Sequence, residues 1–342
     1  MFSEEVRTHM KVSIRQISEM TGFSQATVSN ALNNKKGVSP ETARQILEAA
    51  RACGYQGSRK IDGIRFVIIK NGGQVVADTP FFSALIEGVE NESREAGYEI
   101  TLLNLDTGQP DYQQQLQVLL SDPSYAILLL ATELTEEDIV PFARAAAPLV
   151  LLDAWFEKTV FDSVFINNLD SVKEATQYLI ACGHKKIGYL KSRIRIRNFS
   201  YRELGWMLAL QDAGIAPDPN YTFPLTPTVE GAHQDMSKLL ESDPPLPTAF
   251  FADNDIIAFG AIKALNEHGV TIPQDISVIG FDDLPFCRIS TPMLTSIRVD
   301  KEEMGRVAVR RLVERINSGN PDIHLKIEIC NMLIKRDSVA VL

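Results

Sequence analysis

The sequence predicts a small all-α helix-turn-helix domain followed by a two-lobed α/β domain with doubly wound parallel sheets. Two patterns predict this division. Three short helical segments with start signals occupy residues 13–55, and from residue 64 onward apolar runs alternate with helical segments. Charge supports it, because residues 1–60 hold nine Lys/Arg and five Asp/Glu, whereas the remainder holds 25 and 39. A basic head on an acidic body is typical of an appended nucleic-acid-binding module.

The overall composition predicts a folded protein of two or three domains. The chain has 342 residues, of which 45% are hydrophobic and 23% are charged, and its formal net charge is −10. Its four cysteines lack metal-binding or redox spacing, and its N-terminus lacks the apolar segment of a secretory signal. No apolar run reaches the roughly 18 residues of a membrane-spanning helix. We therefore expect a cytoplasmic protein with free thiols and no membrane partner.

Start and stop signals place three helices in the head. Gly22 can adopt a positive φ and end the first helix, and Pro40 suits the first position of the third. The second helix is predicted over residues 25–32, with Val28 and Leu32 on its buried side. The hydroxyl side chains that can cap the three helix starts are Ser13, Ser24 and Ser39. The inner face of the third helix is predicted to comprise Ile46, Ala50 and Cys53.

A helix, a tight glycine turn and a second helix form the arrangement that places the second helix in the DNA major groove. The outer side chains of that helix can reach base edges, and we expect this of Gln25, Ala26, Ser29 and Asn30. Polar side chains near helix starts suit phosphate contacts, and we expect these of Ser13, Ser24, Thr27 and Asn33. The alternative is a three-helix packing module that binds nothing.

A family resemblance lies in residues 14–55. The segment reads IRQISEMTGFSQATVSNALNNKKGVSPETARQILEAARACGY. It resembles the DNA-binding domain of the lactose-repressor/galactose-repressor (LacI/GalR) family of bacterial transcription regulators. The matching features are ATVS in the second helix, Leu32-Asn33, Val38-Ser39 and the closing Gly54-Tyr55. The resemblance implies that double-stranded operator DNA is a partner.

The segment after the head departs from that family. Family members carry roughly twenty residues there, including an Ala/Leu-rich hinge helix that inserts Leu side chains into the minor groove. Here Tyr55 is followed by QGSRKIDG, and a strand-like run begins at Ile64. The sequence therefore predicts a head over 1–56, a short linker over 57–63 without a hinge helix, and a ligand-binding and dimerisation domain over 64–342. Whether so short a linker couples ligand to DNA stays open.

The body alternates strand-sized apolar runs with helical segments, which indicates parallel sheets covered on both faces. About nine such units are too many for one sheet, so two lobes are predicted. Ligands bind beyond the carboxyl ends of the strands in such sheets. Two facing lobes would therefore share one cleft.

The resemblance continues through the body, in CGHKKIGYL, FFADNDIIAFGAIKAL and GVTIPQDISVIGFDDLP. It implies the fold of periplasmic sugar-binding proteins, a small-molecule effector such as a sugar, and a homodimer. The family's chain crosses between lobes three times, by analogy near 160–163, 290 and 320 here. The predicted first lobe is then about 64–161 plus 291–319, and the second about 162–290 plus 320–342.

The predicted effector-binding residues are Phe82, Asp153, Asn198, Arg202, Asp255 and Asp282. Asp153 ends a strand at the mouth of a sheet, and Asp282 ends the run ISVIGFDD. The other residues match family positions in their motifs, for example Arg202 in YRELGW. Plainer roles stay open: a core aromatic for Phe82, a surface arginine for Arg202, a helix cap for Asp255 and turn structure for Asp282.

The sequence lacks signs of catalysis. Its five histidines show no metal spacing, and GxSxG, GxxxxGK[ST] and GxGxxG do not occur. We expect no enzyme activity, no catalytic residues, no metal and no cofactor. The leading hypothesis is a ligand-responsive transcription regulator, and the alternative is a solute-binding protein with an incidental basic head. The effector, the operator, the sign of regulation and any assembly beyond a dimer stay open.

Overall fold

Three helices make up the described part of the head, as predicted. The computed structural model describes residues 13–32, 37–53, 61–70, 75, 80–317 and 323–342. The chain divides into two units, residues 1–61 and 62–342, and each is described separately below. Helix α1 spans Ile14–Thr21, α2 spans Gln25–Leu32 and α3 spans Pro40–Ala52. Residues 57–60 of the predicted linker lie outside the described residues and Gly63 already begins β1, so the absence of a hinge helix stays a prediction.

Local capping sets the bounds of these helices. The Ser13 side chain accepts from the Gln16 amide in a capping box, and Gly22 ends α1 with φ at 75°. The fully buried core of the head comprises Ile17, Val28, Ala31, Ile46 and Ala50. Leu32 and Cys53 pack against this core but are only partly buried, so Ala31 takes the place predicted for Leu32.

The first lobe of the body contains a six-stranded parallel sheet. Its strands are β1 (Gly63–Lys70), β2 (Glu99–Asp106), β3 (Tyr125–Leu130), β4 (Leu149–Leu152), β5 (Asp162–Ile166) and β11 (Lys326–Ile329), in the order β11-β5-β4-β3-β1-β2. Its helices are α4 (Pro80–Glu95), α5 (Tyr112–Ser121), α6 (Glu136–Ile139) and α11 (Lys301–Asn317). Helix α11 packs closely on α4, because a Cβ at Gly305 would lie 2.5 Å from the Leu85 carbonyl oxygen.

The second lobe repeats this plan with one reversed edge strand. Its strands are β6 (Ile187–Ser192), β7 (Thr222–Leu225), β8 (Ala249–Ala252), β9 (Ser277–Asp282), β10 (Thr295–Arg298) and β12 (Met332–Ile334), in the order β12-β10-β9-β8-β6-β7. Only β12 runs antiparallel, beside β10. Its helices are α7 (Asn168–Ala181), α8 (Arg197–Asp212), α9 (Val229–Leu240) and α10 (Asp255–Glu267). No helix in the described residues is both long and apolar enough to cross a membrane.

The three crossings between lobes differ from the predicted positions. The chain crosses at residue 167, at 299–300 and at 330–331, and not near 160–163, 290 and 320. The predicted lobe bounds therefore assigned β5, β10 and β11 to the wrong lobes. Each strand belongs to the sheet with which its backbone pairs: β5 with β4, β10 with β9, and β11 with β5. An apolar run in a sequence does not reveal that partner.

Candidate functional site

The predicted base-reading residues lie on one side of α2. Gln25 and Ala26 are exposed, Ser29 and Asn30 are half-buried, and Val28 faces the core. Because these four residues share the side of α2 opposite the core, they could contact base edges in the major groove of DNA. The predicted phosphate contact Asn33 lies outside the described residues.

Serine side chains order the starts of α1 and α2. Ser24 Oγ accepts from the Thr27 amide at 3.1 Å and lies 2.8 Å from Thr27 Oγ1. Ser13 Oγ accepts from the Gln16 amide at 3.3 Å. Their first-turn amides point out of the helix end, where a phosphate oxygen can accept from them.

A narrow cleft lies between the two lobes of the body. It is lined by Val75, Phe81, Phe82, Thr132, Asp153, Ile196, Asn198, Phe199, Arg202, Asn254 and Asp282. Five of the six predicted effector residues are therefore brought together, at the carboxyl ends of strands and in the first turns of α4 and α8. The open space is about 30 Å³, room for a water molecule. A sugar-sized ligand would need the lobes to separate.

Asp153 is buried where β4 ends, in the first lobe. It adopts a φ of 64°, which is uncommon for a residue other than glycine and recurs at functional sites. Thr132 Oγ1 donates to its Oδ2 at 2.6 Å, and Asn198 Nδ2 donates to its Oδ1 at 3.0 Å. Burial raises the pKa of Asp153 to about 6, although these hydrogen bonds and Arg202 act in the opposite direction. The Asp153 carboxyl group is therefore fixed in position beside the cleft, where it can accept further hydrogen bonds from a ligand.

Arg202 lies in the floor of the cleft and is not a surface arginine. Its Nε donates to Asn168 Oδ1 at 2.8 Å, and its Nη1 donates to the Asp253 carbonyl oxygen at 2.5 Å. The guanidinium lies 3.5 Å from the centre of the Phe281 ring, and Nη2 is 3.9 Å from Asp282 Oδ1. Two of its donor groups are thus committed to the protein, which leaves the Nη2 edge for a ligand.

Asp282 is also a cleft residue, so its role is not confined to turn structure. Burial raises the pKa of its carboxyl group, and the positive charges of Arg202 and Lys301 act against this shift. The neighbouring Asp283 forms ion pairs with Arg298 at 2.8 Å and Arg336 at 2.5 Å. Asp282 therefore lines the cleft, whereas the adjacent Asp283 forms ion pairs within the second lobe.

Asp255 does not line the cleft, contrary to the prediction. Its Oδ1 accepts from Ser296 Oγ at 2.6 Å, and its Oδ2 accepts from the Leu284 amide at 2.8 Å. Burial, together with the charge of Asp282, raises its pKa to about 7. The hydrogen bonds of the Asp255 carboxylate thus hold β10 and the loop after β9 in place. The proposed cap is wrong too, because Asn254 accepts from the Ile257 amide and caps α10.

Sequence reasoning missed several cleft residues, chiefly Thr132, Phe199 and Asn254. Thr132 and Asn254 each follow the carboxyl end of a predicted strand, and that signal could have found them. Phe199 lies one residue after Asn198, and only the placement of α8 in the structure identifies it as a cleft residue. Within the described residues, no three His, Cys, Asp or Glu side chains are grouped to hold a metal.

Both units match known protein families. Residues 13–58 match the family described as bacterial regulatory proteins, lacI family, and residues 176–339 match a periplasmic binding protein-like domain. The solved transcriptional regulator CelR–cellobiose complex is 26% identical, with a TM-score of 0.72, over 96% of this chain and 100% of that one.

Two curated relatives extend over nearly the whole chain. The HTH-type transcriptional repressor PurR of Haemophilus influenzae (strain PittEE) is 30% identical over 96% of this chain and 98% of its own. The HTH-type transcriptional regulator GalS of Salmonella typhimurium is 31% identical over 96% and 97%. This chain therefore belongs to the lacI family of bacterial regulatory proteins, which are transcription regulators and not enzymes.

Proposed function

We propose that this regulator is a repressor that binds a pseudo-palindromic operator as a homodimer in the cytoplasm. In this proposal, a small polyhydroxylated molecule, a sugar, occupies the cleft and sets the affinity for DNA. The observation that carries the proposal is the convergence of Asp153, Asn198, Arg202 and Asp282 in a cleft that both lobes form. A ligand bound by both lobes stabilises one arrangement of them over others.

The chemistry of the cleft suits hydroxyl groups. Asp153 and Asp282 can accept hydrogen bonds, and Arg202 can donate them through Nη2, so a ligand needs both donors and acceptors. A sugar hydroxyl is both at once. Phe81, Phe82 and Phe199 add apolar surface for the C–H groups of a sugar ring. The cellobiose bound by the similar regulator CelR is consistent with this class of ligand.

The homodimer follows from the demands of DNA recognition. One recognition helix contacts only a few base pairs, so two heads must share one operator. The body offers apolar surface that a second copy could cover, because Phe286 is 48% exposed and Ile289 is 77% exposed. Large apolar side chains exposed together are typical of interaction surfaces.

A binding experiment with the full-length chain tests the proposal. Fluorescence anisotropy against genomic DNA fragments should identify a fragment that binds far more tightly than scrambled DNA, with a complex of two chains. Addition of the cognate sugar from a panel should change that affinity. Sugar binding without sequence-specific DNA binding would instead favour the solute-binding alternative.

A further inference from the structure

We propose a second small-molecule site beside the crossings between the lobes, with a neutral polyhydroxylated ring such as a pyranoside as its ligand. This hinge pocket is a space of about 390 Å³. Its principal walls are Trp155, Phe165, Asn198, Tyr201, Lys326 and Glu328. Ligand sites for small molecules commonly have volumes of about 300–1,000 Å³ and mostly apolar walls.

Three aromatic side chains form the apolar wall of the hinge pocket. The Trp155 ring centre lies 6.0 Å from that of Phe165 and 5.5 Å from that of Tyr201. Trp155 and Phe165 come from the first lobe and Tyr201 from α8 of the second. Aromatic rings bury large apolar areas and suit the C–H groups of a ring-shaped ligand.

Two polar groups of the pocket are available to a ligand. Among the described residues, neither the Glu328 carboxylate nor the Tyr201 hydroxyl has a hydrogen-bond partner. Desolvation, reinforced by the charge of Asp170, raises the pKa of Glu328. The side chain is nevertheless exposed, so a ligand hydroxyl would replace water as the donor to this carboxylate.

The charges around the pocket select a neutral ligand. Asp170 and Glu328 both oppose an anion. Lys326 Nζ lies 4.5 Å from the centre of the Trp155 ring and donates to the Phe156 carbonyl oxygen at 2.9 Å, and the Arg197 guanidinium lies 5.1 Å from the same ring. Because two cations already contact Trp155, a cationic ligand gains little from that ring. Hydroxyl groups suit both the carboxylates and the phenol.

Occupation of this pocket should affect the lobes. Asn167, at the first crossing, and β11, which leads to the third, both contribute to the walls. Asn198 lines this pocket and the cleft, but its Nδ2 is committed to Asp153. The two spaces are thus adjacent and share Asn198 as a wall. A ligand here would couple to effector binding through the arrangement of the lobes, and the coupling must be reciprocal.

Tryptophan fluorescence can test the site directly. The chain has two tryptophans, and Trp206 is buried against Tyr189, with 5.3 Å between ring centres. Trp206→Phe leaves Trp155 as the only tryptophan, inside the pocket. Titration of this full-length variant with methyl glucoside, methyl galactoside and methyl riboside should give a saturable change with at least one glycoside. Calorimetry on the unmodified chain provides a second measurement if Trp206→Phe folds poorly.

Paired variants assign the signal to one site. Glu328→Phe fills the pocket and should reduce the affinity at least tenfold, whereas the exposed Glu174→Gln on α7 should not change it. Asp282→Asn removes a cleft carboxylate that does not line the hinge pocket, and it should leave the Trp155 signal saturable. The proposal is overturned if the signal disappears in Asp282→Asn but persists in Glu328→Phe, or if neither fluorescence nor calorimetry detects any of the glycosides. Loss of the cleft ligand alone would count against the proposed effector and not against this pocket.

Discussion

Asn198 of the second lobe donates its Nδ2 to Asp153 Oδ1 of the first lobe at 3.0 Å. The same nitrogen lies 3.2 Å from the Asp153 carbonyl oxygen. These contacts join α8 to the end of β4 across the cleft, and both residues are buried. A ligand that enters the cleft must therefore break this hydrogen bond or add its own hydrogen bonds to it. The bond should respond both to ligand binding and to the protonation of Asp153.

The buried Asp153 should make stability depend on pH. Its pKa rises from 3.8 to about 6 on folding, so the unfolded chain loses this proton first as the pH increases. The contribution of Asp153 to the free energy of unfolding should fall between about pH 4 and pH 6 and then level off. Asp153→Asn removes this pH-dependent contribution, and the variant should be more stable than the unmodified protein at pH 7.

The difference in free energy of unfolding between the two proteins, measured by urea titration, checks this prediction. The asparagine fits, because the Thr132 hydroxyl can accept as well as donate a hydrogen bond. A difference that does not change between pH 3.5 and pH 7 would contradict the raised pKa. Other buried acids cancel in the difference because both proteins contain them.

Loss of Arg202 should affect ligand binding and stability together. Arg202→Ala removes the Nη2 donor and also leaves Asn168 Oδ1 and the Asp253 carbonyl oxygen without their partner. An unpaired buried polar group costs about 1–3 kcal/mol, so we expect at least a tenfold loss of effector affinity and a lower melting temperature. Calorimetry and thermal denaturation measure the two effects.

Operator binding without effector should survive in Arg202→Ala, because the head is a separate unit with its own core. Exposed Arg193→Ala serves as a control, since its ion pair with Asp235 lies outside the residues that line the cleft. Equal effector affinity in Arg202→Ala and Arg193→Ala would show that the cleft is not the effector site.

Local signals in the sequence predicted the helices of the head well, whereas β10, β11 and β12 were not predicted as strands. The starts of α1 and α2 follow Ser13 and Ser24, whose side chains accept from amides three residues ahead, and such signals need no knowledge of the rest of the fold. The same holds for Gly22 and its positive φ.

Partners distant in sequence could not be predicted this way. Whether β10 joins the first or second sheet depends on backbone pairing with β9, which the short segment TSIR does not encode. Asp255 was misplaced for a similar reason. It stands one residue after Asn254, and only the geometry of the turn before α10 decides which of the two side chains reaches the cleft.

The neighbours Asn254 and Asp255 should therefore have separable roles. Asn254→Ala should weaken effector binding and also cost about 1 kcal/mol through loss of the α10 cap. Asp255→Ala should leave Ser296 Oγ and the Leu284 amide unpaired and lower stability more than Asn254→Ala, with little effect on effector affinity. Calorimetry with urea titration on both variants distinguishes the roles. A larger loss of affinity in Asp255→Ala would restore it as a ligand-binding residue.

The start of α2 should carry the base preference of the head. Gln25 is exposed there while Val28 holds the opposite side in the core, so Gln25→Ala removes a base contact without disturbing the packing. We expect relaxed preference at one operator position, worth about 1–3 kcal/mol, and an unchanged dependence of affinity on salt, because no phosphate contact is lost. Competition binding with single-base operator variants at several salt concentrations measures both quantities. Exposed Glu19→Gln is the control, since Glu19 pairs with Arg15 at the surface of α1 and is not part of α2. Retention of full base discrimination in Gln25→Ala would assign the recognition to other residues of α2.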